Sequence, residues 1–209
     1  MLHGRPASLS ARGLQHPSRR IVLVRHGPSS HANPAWMNAS GFRDWRAAYE
    51  AAGIGDTERA PAALVALATG ADVFLSSDAP RAVQSAHRLA NGREIVVSPL
   101  LRELDLEGPE LGGLSLPFHA WALAVGWRML QGRLRGQYPS LDERGRIDRA
   151  AEWVANIAAQ HECVVIVTHV SVRKQLWVRL LRSGWRPEPG RRTLRPWSAW
   201  GCSRSSQEE

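Results

Sequence analysis

Arg25 and His26 follow directly on the apolar run 21–24, and Thr168 and His169 close a second apolar run at 163–167. Arg81 stands just after a third run, in "SSDAPR", and Glu103 just after a fourth, in "LLRELD". Two imidazoles, two guanidiniums and a carboxyl group form a set with a definite chemistry. A neutral imidazole attacks phosphorus when its other ring nitrogen is held by a hydrogen bond that fixes the tautomer. A phosphoryl group in transfer spreads negative charge over three oxygens, and guanidinium forks answer that charge. Backbone N–H groups at a helix start, here the helix bearing Arg81, add donors. A nearby carboxylic acid protonates the departing oxygen. The set works only if these distant segments meet.

The elements that must bring them together are legible in the pattern. "IVLV" at 21–24, "ADVFLSS" at 71–77, "REIVVS" at 93–98 and "ECVVIVT" at 162–168 read as buried strands. "GFRDWRAAYEAAG" sets Phe42, Trp45, Tyr49 and Ala52 on one helical stripe that stops at Gly53. A second helix runs from Pro61 to Gly70. A third has Asp78 as N-cap, Pro80 in its first turn and Gly92 as its stop. Helices over 117–132 and 141–160 follow, and a last one opens with Ser171 as cap and ends before Gly184. Strands alternating with helices predict an α/β fold: one domain with a mostly parallel central sheet. In such a sheet the loops after all four strands open on the same edge, where ligands bind. The Gly/Pro-rich "LEGPELGGLSLP" at 106–117 reads as a loop within that domain.

Composition bounds the rest. A chain of 209 residues, 44% hydrophobic and 22% charged, fits one globular domain. No stretch approaches the roughly 20 apolar residues of a membrane span. Cys163 and Cys202 lack metal-ligand spacing and read as reduced thiols, which fits a cytoplasmic protein. The net charge of +8 points at first to nucleic acid. Yet residues 1–20 hold four Arg and no acid, residues 182–209 six Arg against three Glu, and the body between them is near neutral. The excess sits at the ends, which speaks against a nucleic-acid surface. The expected organisation is a flexible basic leader over 1–20, a domain over 21–184, and an Arg/Trp/Pro-rich tail over 185–209. The tail's Trp185, Trp197 and Trp200 pack back onto the domain or, alternatively, meet bases or acidic lipid.

In order, "LVRHG", "SSDAPRAVQSA", "LLRELD" and "VIVTHV" resemble the motifs of the histidine phosphatase superfamily, also called the phosphoglycerate-mutase-like family, across residues 20–181. The resemblance implies that His26 is transiently phosphorylated, that Arg25, Arg81 and His169 hold the phosphoryl oxygens together with it, and that Glu103 donates the proton. Asp105 and Glu107 stand as alternatives to Glu103. It also implies a single three-layer, phosphoglycerate-mutase-like domain with helices on both faces of the sheet, of the small phosphatase branch, with no metal or organic cofactor. The expected substrate is a phosphorylated small molecule or a phosphohistidine-bearing protein. Pro28 and Ser29 after the His-Gly pair, a late Asn33, and Val170 after the second His depart from the family pattern. The insert before the second His is shorter than in the mutase branch. These points favour a phosphatase over a mutase, with a non-catalytic phosphate-ligand-binding protein as the alternative.

Other residues invite weaker readings. His31, five residues after His26, lacks a companion cluster for a metal. His87 reads as helix surface. Ser29 and Ser77 read as caps rather than phosphate donors.

Overall fold

Residues 21–24 bury their side chains completely, as a run apolar on both faces must: it is an inner strand of a sheet covered on each side. The computed structural model describes residues 18–105, 108–109 and 111–205. The first half comprises β1 (Ser18–Arg25), β2 (Trp36–Met37), α1 (Ala39–Ala51), α2 (Ala62–Thr69), β3 (Val73–Ser77), α3 (Pro80–Ala90) and β4 (Ile95–Ser98). The second comprises β5 (Leu116–Pro117), α4 (Phe118–Leu134), α5 (Leu141–Ala158), β6 (Cys163–Thr168), α6 (Val170–Arg182), β7 (Arg186–Pro187) and β8 (Ala199–Ser205). The chain is thus a mixed α/β domain with six helices among the described residues.

The main sheet has the order β4-β3-β6-β1-β8-β7. The four strands expected from sequence run parallel, and their ends are in register: Arg25 lies beside Thr168, and Ser77 beside Ser98. Ile21, Leu23, Val164 and Ile166 pack one face against Ile147, Val154, Val172 and Leu176 of α5 and α6. Val22, Val24, Val165 and Val167 pack the other against Leu64, Ala82, Ala86 and Leu89 of α2 and α3. A smaller cluster of Met37, Phe42, Trp121 and Val125 joins α1 to α4, beside the short β2–β5 ladder. Phe42 stacks on Trp121 at 4.7 Å between centroids, and the Trp121 indole N–H donates to the Met37 carbonyl.

Several details differ from the expectation. β1 begins at Ser18, so residues 18–20 belong to the sheet; residues 1–17 of the expected leader lie outside the described residues. The segment expected as a tail supplies two strands, with β8 running antiparallel along β1 from Ala199 to Ser205. Trp200 and Cys202 alternate inward along β8 while Gly201 and Ser203 are only half-buried, a period-2 pattern masked by residues of low strand propensity. Pro187, which lacks a ladder donor, sits on the edge strand β7. Asp78 does not cap α3: Ala79 holds that position without a side-chain bond, and Asp78 instead grips Arg102 with both oxygens. Asn91, at φ 48°, is the left-handed cap ahead of Gly92. His169, not Ser171, is the N-cap residue of α6.

Candidate active site

β1 delivers His26 to the carboxyl edge of the sheet, where its backbone N–H donates to Thr168 at the end of β6, 3.1 Å away. The imidazole is buried, and its Nδ1 lies 2.6 Å from the carbonyl of Gly27. A carbonyl only accepts, so Nδ1 carries the proton and Nε2 carries the lone pair. Burial holds the His26 pKa down to about 3; the Gly27 bond opposes that effect, and the charges of Arg81, Arg25 and Arg173 add to it. Gly27 lets the loop pack closely, because a Cβ at that position would stand 2.6 Å from the Trp197 ring. Its N–H donates to the Ser85 hydroxyl, which in turn donates to the Arg81 carbonyl one turn earlier in α3.

β6 delivers His169 beside it. The two rings lie 5.0 Å apart between centroids, tilted by 60°. The Nη2 of Arg81 meets Nδ1 of His169 at 3.3 Å, and Ser77 Oγ meets Nε2 at 2.9 Å. Guanidinium only donates, so Nδ1 accepts and Nε2 carries the proton. Burial, then the neighbouring His26, Arg81 and Arg25, holds the His169 pKa well below its usual value. Val170 is the first residue of α6, a position that needs no special backbone conformation, so this departure from the family pattern is absorbed by the helix.

Arg81, in the first turn of α3, is fully buried. Its Nη1 donates to the carbonyls of Tyr49 and Glu50 at 3.0 and 3.3 Å, the last turn of α1, and its guanidinium lies 4.5 Å over the Tyr49 ring. Its Nη2 also donates to Oε2 of Glu50 at 3.0 Å. Arg25 points its guanidinium to the Leu194 carbonyl, and its charge still reaches both imidazoles.

Glu103 closes the group near the start of α6. Its Oε1 accepts from the Leu104 N–H and its Oε2 from the Ser171 N–H, two residues beyond His169. Burial pushes its pKa up against these bonds and the Arg46 charge. Asp105 is exposed in a neighbouring cleft, and Glu107 lies outside the described residues. The structure thus gathers His26, His169 and Arg81 directly, sets Glu103 at the adjoining helix start, and turns Arg25 toward the C-terminal segment.

Sequence reasoning missed Glu50, Tyr49 and Arg173. Arg173 is buried one helical turn after His169, bonded to Ser198 and to the Thr193 carbonyl, with its pKa lowered to about 10 by burial and by Arg25. Its place at i+4 from His169 was a readable signal. Ser77, expected as a cap, accepts from the Ala79 N–H and also orients His169. Ser29 accepts from the His31 N–H. Two clefts adjoin the group. One of about 440 Å³ passes Glu50, Ala79 and Glu103; another of about 560 Å³ passes Phe42, Glu50 and Trp121; both include Arg46 and Asp105.

A sheet edge with paired, buried imidazoles facing arginine defines a class. The chain belongs to the histidine phosphatase superfamily (branch 1), whose pattern it matches over residues 21–194. Among solved structures it is similar to "Mycobacterial hydrolase 2", at 22% identity and a TM-score of 0.58, with 89% of this chain and 82% of that one covered. It is also similar to the mycobacterial glucosyl-3-phosphoglycerate phosphatase in complex with VO3, at 22% identity and a TM-score of 0.50, covering 78% and 82%. A third is the phosphoserine phosphatase of Entamoeba histolytica with 3-phosphoglyceric acid, at 16% identity and a TM-score of 0.50, covering 78% and 80%. A comparison with curated proteins returns no match. No helix among the described residues is long and apolar enough to cross a membrane.

Proposed function

We propose that this protein is a phosphatase that hydrolyses a phosphomonoester, or a protein phosphohistidine, through phosphorylated His26. One observation carries the reading: the buried, neutral His26 and His169 lie 5.0 Å apart with Arg81 bonded to the second ring. In the first step the Nε2 lone pair of His26 forms a bond to phosphorus while the ester P–O bond breaks. The leaving oxygen takes the proton of Glu103, whose burial favours the protonated form at the outset. The phosphorylated ring gains positive charge, and the Gly27 carbonyl at Nδ1 stabilises it. Arg81 and Arg25 bind the phosphoryl oxygens, and His169 joins them when its Nε2–H shifts its hydrogen bond from the Ser77 hydroxyl to an entering oxygen. In the second step water attacks phosphorus, Glu103 takes its proton, the P–N bond breaks, and phosphate leaves with His26 restored.

The cleft beside Glu103 gives room for a leaving group, which favours a phosphorylated small molecule. Two of the similar structures are themselves phosphatases, of glucosyl-3-phosphoglycerate and of phosphoserine, in agreement with that class. The buried thiols of Cys163 and Cys202 fit a cytoplasmic, reducing location. Hydrolysis of p-nitrophenyl phosphate by the wild type, lost in His26→Ala, together with an acid-labile, alkali-stable phosphoenzyme, is the expected result. Equal turnover in both proteins would end the proposal. The Glu50 carboxylate on Arg81 favours one other reading, a phosphate-ligand binder without turnover. Phosphate binding with no phosphoenzyme would select it.

A further inference from the structure

Arginine side chains elsewhere in this protein use one edge, Nε with Nη2, to grip a carboxylate with both nitrogens. Arg20 holds Glu188 this way at 2.7 Å on each side, and Arg102 holds Asp78 likewise. That edge is also the one that matches two oxygens of a phosphoryl group. On Arg81 it is only half used. Nη2 meets Oε2 of Glu50, but Nε is buried and finds no hydrogen-bond partner among the described residues. Oε1 of Glu50 is turned instead toward Arg46, one helical turn back, at an ion-pair distance of 3.4 Å without a hydrogen bond.

The two sides of this contact differ in freedom. Arg81 is pinned through Nη1 by the Tyr49 and Glu50 carbonyls, and its side chain is 1% exposed. The Glu50 side chain, in the last turn of α1, is 34% exposed although its Oε1 is buried, and it lines both clefts. Glu50 therefore stands between the clefts and the nitrogen that also touches His169.

We infer that Glu50 is an internal competitor of the substrate: its carboxylate occupies the place of a phosphoryl oxygen on Arg81 and transfers to Arg46 when the oxyanion enters. This inference rests on the phosphatase reading above. The exchange leaves the backbone carbonyls on Nη1 undisturbed, so the guanidinium keeps its aim while its Nε–Nη2 edge becomes available to two oxygens. Arg46, already adjacent, receives the displaced charge, so no carboxylate is left facing a phosphate unpaired. Glu50 is thus a specificity-determining residue, setting how strongly an anion must bind to open the site.

The test is calorimetric titration of the full chain with orthovanadate, comparing wild type, Glu50→Gln, and Glu94→Gln as a control of equal charge change. Glu94 is exposed and lies just before β4, at the opposite edge of the sheet. The expected result is vanadate bound roughly tenfold tighter by Glu50→Gln, the scale of one charge-assisted hydrogen bond. Glu94→Gln should differ from wild type by less than about twofold. KM for p-nitrophenyl phosphate should fall in Glu50→Gln alongside the vanadate constant. If wild type binds vanadate and Glu50→Gln binds it no tighter, or if kcat falls while KM holds, the competition is refuted and the phosphatase reading stands. If wild type and Glu50→Gln both fail to bind vanadate, the phosphatase reading fails and this inference fails with it.

Discussion

Gly27→Ala tests how tightly the loop of the proposed nucleophile, His26, is held. The added Cβ would lie 2.6 Å from Cε2 and Cζ2 of Trp197 and 2.9 Å from its Nε1. Carbon atoms pack at about 3.5–4.0 Å, so one side must yield by roughly 1 Å. Trp197 has little room to do so. Its N–H donates to the Arg25 carbonyl, its indole N–H donates to Glu58 at 2.7 Å, and its backbone is already left-handed at φ 60°. Overpacking of this kind costs about 1–3 kcal/mol. The alternative, a shift of the 25–27 loop, moves the Gly27 carbonyl that fixes the His26 tautomer; a misplacement of about 1 Å at a reacting group slows turnover by about 10²-fold. Urea unfolding and turnover of an aryl phosphate measure the two costs in one protein. Trp197→Gly suits the left-handed backbone and removes the ring, so in that background the alanine should cost less than about 0.5 kcal/mol. A Gly27→Ala protein of wild-type stability and wild-type turnover would falsify this account of the loop.

Two further predictions follow from the carboxyl and imidazole groups. Glu103→Gln should slow an alkyl phosphate by about 10²–10⁴-fold and an aryl phosphate far less, because a phenolate departs without a proton. Equal slowing of both substrates would remove Glu103 from the role of proton donor. The pKa values of His26, down to about 3, and of His169, well below its usual range, also link stability to pH. The unfolded chain takes up protons on both rings near pH 6.5 while the folded chain does not, so their contribution is complete above about pH 6.5 and declines as pH falls below it. The slope is about 1.4 kcal/mol per pH unit for each ring, and His26→Ala should remove close to half of it. Unfolding free energies that are level between pH 7.5 and 5 would mean the rings are not buried neutral.

What the sequence made legible was whatever local pattern determines. Residues 21–24 and 163–167 read as inner strands, since their apolar runs are short for a helix and rich in β-branched residues. The parallel register then carried Arg25, His26, Thr168 and His169 to one edge without further information. Caps were less legible because they depend on competing partners: Asp78 has the right residue type, but Arg102, brought near by the fold, takes its carboxylate. β8 was hidden for a related reason. Its Gly201 leaves the space that the Glu188 carboxylate occupies, 2.1 Å from where a Cβ would stand, and that carboxylate is fixed by Arg20 of β1. A strand defined by what crosses over it leaves little trace in its own residues. Glu50 was invisible on the same terms, since nothing in "RAAYEAAG" announces that the end of α1 lies against α3.

How each arginine is held separates structural cations from site cations. Arg20, Arg102, Arg146 and Arg179 are paired with Glu188, Asp78, Glu143 and Asp148, so their charges are cancelled locally. Arg25 and Arg173 are held by main-chain carbonyls of Thr193, Leu194 and Ser198, together with the Ser198 hydroxyl. Carbonyls and hydroxyls fix a guanidinium in place yet leave its full charge unneutralised. That uncancelled charge is part of what keeps both histidines neutral, and it is the charge a phosphoryl group would meet. The C-terminal segment therefore contributes to the site chiefly through its backbone, whose carbonyls aim cations at the sheet edge, while the Ser198 hydroxyl bonds Arg173 and the Trp197 ring packs against Gly27. Arg81 follows the same scheme through Nη1 and departs from it only at Nη2, where Glu50 supplies the single carboxylate bonded to this set of arginines among the described residues. Removing that one negative charge should alter anion affinity more than removing any of the four carboxylates that pair the structural arginines.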